Sequence, residues 1–387
     1  MIEHITIRNF RSIREVSVDL SPVTVLIGRS GVGKSNFLRA IRFLRNFLMN
    51  GDAAVAYEGG WRRIFPFGEP RPLSLSIRFN IPGYSKSFSY DISWQIYPQN
   101  TQHASVNAEA LALGDDIIFK RAANDWIKWP GEGNAPQNIQ GSVLNTFPTL
   151  SDAVLAYTAL TSGIGWHDFP ANVFTETLQN NYTLFGTAGS GIELTGLHDA
   201  AVNYLAVIRD ITQDLRSQQS RRQILARIKQ INLNVGSLEL DSITKPVKVV
   251  VGHLVGDRRI GLDLSQESDG FRRYYAHLLA LYQTPPKQLL MFEEPENGIY
   301  PGALRNLAEE FNKASGKGRG QILLTTQSPN LLDGFESESL RVVELDEAQS
   351  TKIGPLDPDQ VEALKDHLLQ PGELLTVDAA RVQGTSN

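Results

Sequence analysis

Apolar and polar positions alternate near the start of the chain, in Ile2-Glu-His-Ile-Thr-Ile-Arg8 and Val16-Ser-Val-Asp-Leu20, and predict two short strands with a turn over residues 9–14. Val23-Thr-Val-Leu-Ile27 is a continuous apolar, β-branched run, the pattern of a strand buried on both faces. A glycine-rich turn follows, and Phe37, Leu38, Ile41, Leu44 and Leu48 then recur at helical spacing. Residues 73–79 and 88–97 alternate like antiparallel strands with one wet face, and 117–120 and 126–129 predict two more. Residues 130–150, rich in Gly, Asn, Pro and Gln, predict a loop. Residues 199–231 carry a broken helical pattern without sustained heptads, so no long coiled-coil arm is predicted. Strand returns over 247–251. An α/β rhythm then closes the chain: helix over 272–282, strand over 288–292, helix over 304–313, a polar surface loop over 313–320, and strands over 321–325 and 340–345. The tail from Asp346 is acidic and mixed, and its last few residues are predicted disordered.

Composition narrows the classes. A chain of 387 residues with 41% apolar and 20% charged residues can bury two or three domain-sized cores. No apolar run approaches the ~18 residues of a membrane span. Met1-Ile-Glu-His4 leads straight into a strand pattern without a basic segment, so no signal peptide is predicted. Zero cysteines exclude a disulfide scaffold, a thiol nucleophile and a cysteine metal site, and fit a cytoplasmic protein with no membrane role. The net charge of −5 means that DNA would need a local basic patch. Two runs qualify: Arg216, Arg221, Arg222, Arg227 and Lys229 in one helical stretch, and Arg39, Arg42 and Arg45 spaced by three. Either run is equally a solvated helix face. Trp126 and Trp129 read as core or interface rather than as base-stacking platforms.

The strongest chemical signal is Gly28-Arg29-Ser30-Gly31-Val32-Gly33-Lys34-Ser35, which fits G-x-x-x-x-G-K-[ST] between a buried strand and an amphipathic helix. Glycines let successive N–H groups curl round a phosphate, and the helix N-terminus adds its dipole. In this Walker A reading Lys34 reaches the β- and γ-phosphates of ATP, Ser35 ligates Mg²⁺, and Asn36 opens the helix beside them. The apolar strand ending in Glu293-Glu294-Pro295 supplies the second half: Glu293 holds the water shell of Mg²⁺, and Glu294 deprotonates the attacking water. Alone, such a strand end is an ordinary pair of solvated carboxylates. Ser268-Asp269-Gly270 before a helix offers a hydroxyl, free N–H groups and a dipole to an anion, although Ser268 or Asp269 is equally an N-cap.

The order of these parts, with Thr325-Thr326-Gln327-Ser328-Pro329 after another apolar strand, resembles the ABC-type ATPase head. The opening Ile5-Thr-Ile-Arg-Asn-Phe-Arg-Ser12, the block Glu293-Glu-Pro-Glu-Asn-Gly298 and the late Leu368-Leu-Gln-Pro-Gly-Glu-Leu374 are similar to the RecF, SMC and OLD (overcoming lysogenization defect) branch, especially its stand-alone ATPases often found in bacterial anti-phage defence. Matching motifs cover residues 1–50 and 262–345. The resemblance implies a P-loop α/β fold with an antiparallel β meander and a helical insertion between Walker A and the signature motif. Its expected segments are 1–50 (Walker A part of the head), 51–260 (insertion), 261–346 (signature, Walker B, D-loop, switch) and 347–387 (tail). It implies a homodimer of heads closing on two ATPs, or a higher oligomer, in which Ser268 and Gly270 act in trans with Arg272 close by and 295–298 crosses the interface. Arg11 and Ser12 fall near the nucleotide, and Gln95 or Gln102 is the glutamine loop.

Three departures carry consequences. Gln327 replaces the usual switch histidine; an amide can bond a γ-phosphate but never ionises, so slow or partner-gated hydrolysis is expected. Glu293 stands where transporter heads have aspartate, and Arg29-Ser30 where Pro-Asn is usual, so Arg29 is either a cation near the nucleotide or merely exposed. Residues 346–387 hold no second acidic metal cluster, so no nuclease of its own is expected, and a separately encoded effector, nuclease or toxin, would do the damage. A RecF-like repair ATPase, an ABC transporter subunit and an ATP-binding scaffold with little turnover are the alternatives. The long stretch between Lys34 and Ser268 argues against the transporter.

Overall fold

A computed structural model describes residues 1–66, 71–97, 100–123, 125–131, 133–136, 139, 141–147, 151–175, 197, 199–213, 218–241, 243 and 247–384. In chain order the strands and helices are β1 (Ile2–Phe10), β2 (Ile13–Asp19), β3 (Val23–Ile27), α1 (Lys34–Asn50), α2 (Ala53–Tyr57), α3 (Trp61–Ile64), β4 (Leu73–Phe79), β5 (Phe88–Tyr97), β6 (Asn100–Leu113), β7 (Asp116–Ala122), β8 (Asp125–Lys128), α4 (Val143–Thr146), α5 (Ser151–Leu160) and β9 (Ile164–His167). They continue as α6 (Tyr204–Gln213), α7 (Gln218–Ile231), β10 (Val235–Asp241), β11 (Lys248–Val255), β12 (Arg258–Asp263), α8 (Asp269–Tyr282), β13 (Leu289–Glu293), α9 (Pro301–Gly316), β14 (Gln321–Thr325), α10 (Pro329–Leu332), β15 (Leu340–Leu345), β16 (Thr351–Pro355) and α11 (Pro358–Lys365). Packing divides the chain into two units, residues 1–164 with 337–387, and residues 165–336.

The first unit holds a seven-stranded sheet in the order β2-β1-β4-β5-β6-β7-β8, antiparallel throughout. It is the meander that the alternating segments predict. Beside it β3 runs parallel to β15, and β15 runs antiparallel to β16. All five residues of β3 are buried, as its unbroken apolar run requires. Helix α1 buries Phe37, Leu38, Ile41, Leu44 and Leu48, the predicted stripe, and adds Phe43 and Phe47. Trp94 of β5 meets Phe43 at 5.4 Å and Phe47 edge-on at 5.0 Å, so the helix is anchored to the meander through aromatic rings.

A second knot in this unit is polar. The wholly buried Glu109 carboxylate accepts from Tyr90 Oη (2.9 Å), Ser142 Oγ (2.7 Å), Val143 N (2.7 Å) and Arg121 Nη2 (3.2 Å). With Arg121 only 4% exposed, the ion pair is desolvated but multiply bonded, the condition under which a buried charge is tolerated. Burial, with the Glu109 charge adding, pushes the Tyr90 phenol well above its ordinary range.

The second unit pairs β13 with β14 in parallel, Leu289 opposite Gln321 and Glu293 opposite Thr325. Helix α8 packs His277 into an aromatic cage: Phe169 edge-on at 5.0 Å, Phe292 at 5.5 Å and Phe311 at 6.4 Å. A separate antiparallel sheet runs β10-β11-β12.

Several elements depart from the sequence reading. Residues 9 and 10 continue β1, leaving a turn only at Arg11–Ser12. Strands β6, β10 and β12 and helix α5 carry no predicted counterpart. Strand β6 alternates through Ala108, Ala110 and Ala112, small residues whose β-propensity is low, and pairing on both sides decides the outcome. Helix α9 extends through Gly316, so half of the predicted 313–320 loop is helical, and the tail forms β16 and α11. The expected disorder at the terminus lies outside the described residues. No helix among the described residues is long and apolar enough to cross a membrane.

Burial depresses the His277 imidazolium to a pKa of about 4 from 6.5, while its Nδ1 meets the Arg273 carbonyl at 2.7 Å. The unfolded chain therefore binds a proton that the folded chain refuses. Stability should be full above pH 6.5 and fall by about 3 kcal/mol as pH drops from 6.5 towards 4. Urea titrations of wild type and His277→Phe across that window check this; the variant should show a much shallower slope.

Candidate functional site

The phosphate loop is shaped by positions where a side chain cannot stand. Gly28 (φ 146°) and Gly33 (φ 104°) lie in the left-handed region. A Cβ on Gly28 would run into the Val343 carbonyl, and one on Gly33 would meet Ser12 Oγ at 2.8 Å and Thr351 Oγ1 closer still. Behind the loop runs a chain of hydroxyls. Asn36 Nδ2 donates to Ser12 Oγ (2.7 Å), Ser12 Oγ to Thr351 Oγ1 (2.6 Å), and Thr351 Oγ1 to the Val32 carbonyl (2.8 Å). The strand pair β15–β16 thus braces the loop from the far end of the sequence. Lys34, 5% exposed, lies along the loop with Nζ donating to the carbonyls of Gly28 (2.7 Å) and Arg29 (2.8 Å). Arg29, Ser30 and Gly31 are exposed, Val32 is buried, and Ser35 is half-buried at the first turn of α1.

Arg11, with φ 51°, is turned towards Glu58: its Nη2 donates to Oε2 at 2.5 Å, while Arg42 Nη2 donates to Oε1 at 2.6 Å. Glu58 is 1% exposed, so two cations share one buried anion. Sequence reasoning missed Glu58, which lies in no motif. Arg45 is buried, and its guanidinium donates to Asn46 Oδ1. The Arg39-Arg42-Arg45 run is therefore not a bare basic stripe. Gln95 is exposed on β5, and the side chain of Gln102 lies outside the described residues, so nothing in the geometry selects a glutamine loop. Trp126 and Trp129 pack on each other at 4.7 Å, and Trp129 on Phe147 at 5.2 Å.

In the second unit β13 ends in Glu293, whose Oε2 is buried without a hydrogen-bond partner. A lone carboxylate oxygen suits a metal-bound water as its donor, so the residues fit Mg²⁺. Glu294 sits at φ 44°, its N–H held by Thr325 Oγ1 (3.1 Å). Its side chain accepts from Gln327 Nε2 through Oε1 and from Asn297 Nδ2 (3.2 Å) through Oε2. The expected base and the expected switch are thus hydrogen-bonded. A residue that the sequence reading left without a role holds them in register: Glu296 Oε1 accepts from Thr326 Oγ1 (2.8 Å) and Gln327 N (2.7 Å). Burial, with the Glu294 charge adding, raises the Glu296 carboxyl above the usual range. The third acid of Glu-Glu-Pro-Glu was the signal that could have found it.

Ser268 is the N-cap of α8, accepting from Phe271 N at 3.3 Å, and its helix start leaves N–H groups at the turn. Gly270 packs against the 295–298 loop; a Cβ there would stand 2.7 Å from the Gly298 carbonyl. Arg272, expected near a γ-phosphate, is 7% exposed, and its donors go to the carbonyls of Ser265 (3.0 Å), Glu267 (2.5 Å) and Ala171 (2.8 Å) and to Asp269 Oδ1 (2.6 Å). It shapes the turn from inside. In α7, Arg227 pairs with buried Glu310 at 2.6 Å and Arg221 bonds the Leu238 carbonyl, leaving Arg222 and Lys229 exposed; Arg216 lies outside the described residues.

The bracing of the phosphate loop makes a prediction. Thr351→Val removes the hydroxyl that joins Ser12 to Val32 and should cost about 1–3 kcal/mol of stability and weaken ATP binding, whereas Thr351→Ser should keep both. Thermal unfolding and nucleotide titration calorimetry read the two effects.

Residues 1–79 match the family model described as "AAA ATPase domain", and residues 180–333 match "AAA domain, putative AbiEii toxin, Type IV TA system". The Old nuclease of Escherichia phage P2 is 22% identical over 85% of this chain and 56% of its own length. The DNA replication and repair protein RecF of Lactobacillus acidophilus is 29% identical over 20% of this chain and 22% of its own. The chain thus spans little more than half of the first relative and less of the second. Among solved structures, an Smc head bound to the C-winged helix domain of ScpA superposes with a TM-score of 0.57 at 13% identity, over 93% of this chain and 99% of that one. An Smc head domain with an extended coiled coil, bound to the C-terminal domain of ScpA derived from Pyrococcus furiosus, gives 0.55 at 11% identity, over 95% and 99%. The fold is that of the SMC-type ATPase head, and the sequence is similar to ATPases of the RecF and OLD kind.

Proposed function

We propose that this chain is an ATP-driven dimerising switch, the ATPase component of a bacterial anti-phage defence system that controls a separately encoded effector. The observation that carries the ATPase part is the Glu294–Gln327 hydrogen bond, flanked by the orphaned oxygen of Glu293, in a chain whose Walker A loop is braced for a phosphate. Gly28 to Gly33 with Asn36 would cradle the phosphates of ATP, Lys34 would neutralise them, and Ser35 and Glu293 would hold Mg²⁺. Bound there, Mg²⁺ would supply charge neutralisation to the phosphates. Glu294 takes the proton of the attacking water, and the Gln327 amide orients it. Ser268 and Gly270 of a second head close on the γ-phosphate. The defence role is supported by the Old nuclease of phage P2 and by the toxin–antitoxin wording of the family model over residues 180–333. The RecF relative of Lactobacillus acidophilus favours a second reading, an ATPase acting on DNA during replication and repair.

Lys34→Ala should abolish ATP binding, and Glu294→Gln should bind normally but stall as a closed dimer, because an amide keeps the shape without accepting a proton. Equal loss of affinity in both would remove Glu294 as the base. Mixing Lys34→Ala with Ser268→Arg chains should restore about one working site per mixed dimer, each variant alone being inactive. Heterodimers of confirmed mass that show no ATPase would overturn closure in trans.

Gln327 gives a further test. Basal hydrolysis should be slow and stimulated by the effector or by DNA. Gln327→His should raise the unstimulated rate and shrink the stimulation, since imidazole can orient water and stabilise developing charge. Brisk wild-type turnover, unchanged by Gln327→His, contradicts gating at this position.

A further inference from the structure

Strand β12 ends its three-stranded sheet, paired on one side with β11. Arg258 to Leu262 are all exposed, and no described strand pairs with the outer edge. An edge strand presents a row of unpaired N–H and C=O groups, and natural edges are usually shortened, charged or bulged to discourage pairing. Between its charged residues Arg258, Arg259 and Asp263, this edge carries Ile260 (44% exposed) and Leu262 (37%). Pairing of Leu262 with Val251 and of Ile260 with His253 places both on the same face as buried Val249 and Val251. The apolar face of the sheet therefore continues past the part that is covered.

The order of side chains decides what fits. Arg259-Ile260-Gly261-Leu262-Asp263 reads cation, apolar, glycine, apolar, anion. Two antiparallel copies related by a twofold axis normal to the sheet must pair residues of the same face, so one residue lies on the axis. With Gly261 on the axis, Ile260 faces Leu262 and Arg259 faces Asp263, each twice. Moving the axis to Ile260 sets Arg259 against Gly261 and Arg258 against Leu262; moving it to Leu262 sets Asp263 against Gly261. A single register thus satisfies both the apolar and the charged positions. In it the carboxylate of Asp263, already 3.4 Å from Lys248, gains a second cation.

We propose that β12 is a self-association edge, on which a second copy of this chain adds its own β12 antiparallel about a twofold axis through Gly261. The main-chain ladder supplies the pairing, the Ile260–Leu262 contacts give it an apolar centre, and the Arg259–Asp263 pairs fix the register. The contact needs no nucleotide, so it is separate from the ATP-closed dimer proposed above, and its test does not pass through ATP hydrolysis.

Sedimentation velocity of the full chain without nucleotide should show a concentration-dependent dimer. Ile260→Lys should shift its midpoint about tenfold or more towards higher concentration, with an unchanged circular dichroism spectrum. The chain has no cysteine, so each introduced one is unique. Under mild oxidation, a mixture of Ile260→Cys and Leu262→Cys chains should cross-link 260 to 262 faster than the same pairing made with Leu233→Cys, a position 85% exposed and outside the strand. The cross-link carries the test should Ile260→Lys fail to fold. A wild-type chain that stays monomeric up to roughly 100 µM, or cross-linking no faster than through position 233, overturns the proposal.

Discussion

The phosphate loop depends on one hydroxyl. Thr351 Oγ1 donates to the Val32 carbonyl and accepts from Ser12, which accepts in turn from Asn36 at the start of α1. Gly33 is left-handed at the point where those hydroxyls crowd in, so the brace and the glycine require each other. A loop that must present successive N–H groups to an anion cannot also satisfy its outward carbonyls by itself. Here β16 and the turn after β1 do that, and Lys34 lies across the carbonyls of Gly28 and Arg29.

The second unit solves the corresponding problem with acids. Glu293, Glu294 and Glu296 crowd the end of β13, and each has a different environment. Glu293 and Glu296 each keep one oxygen without a donor, Glu294 is held by two side-chain amides, and the other oxygen of Glu296 accepts from the hydroxyl and the backbone N–H that follow β14. Like charges so close would repel if all were solvated alike. Dividing the donors unequally lets the three coexist and gives each a separate task.

Elements whose burial is complete were legible from sequence, because a buried parallel strand must be an unbroken apolar run. The bounds of β3 and β14, buried at every residue, coincide with the predicted Val23–Ile27 and Gln321–Thr325; β15, whose bounds match the predicted Leu340–Leu345, is buried only at Leu340, Val342 and Val343. Strand β12 was illegible for the opposite reason: with Arg258 to Leu262 exposed, no burial pattern exists to read. The phosphate loop and the Glu293-Glu294 pair could be named from local motifs, since their chemistry is local. Glu58 and Thr351 could not, because their roles lie in partners; Ser12 and Thr351 stand 339 positions apart. Arg272 was legible as a residue beside the Ser268-Asp269-Gly270 turn, but not as a buried strut bonded to Ala171, 101 positions away.

That strut sits on the same helix as His277, and the two differ in what can release them. A guanidinium keeps its charge at every pH that a cell reaches, and three of the four groups that Arg272 bonds are backbone carbonyls, so the first turn of α8 is fastened mainly by groups that do not titrate. One turn further along, the imidazole caged by Phe169, Phe292 and Phe311 is held only while it stays neutral. Acid would therefore loosen α8 from its inner side while its N-terminal turn stayed clamped, and the helix would melt in a fixed order, core before rim.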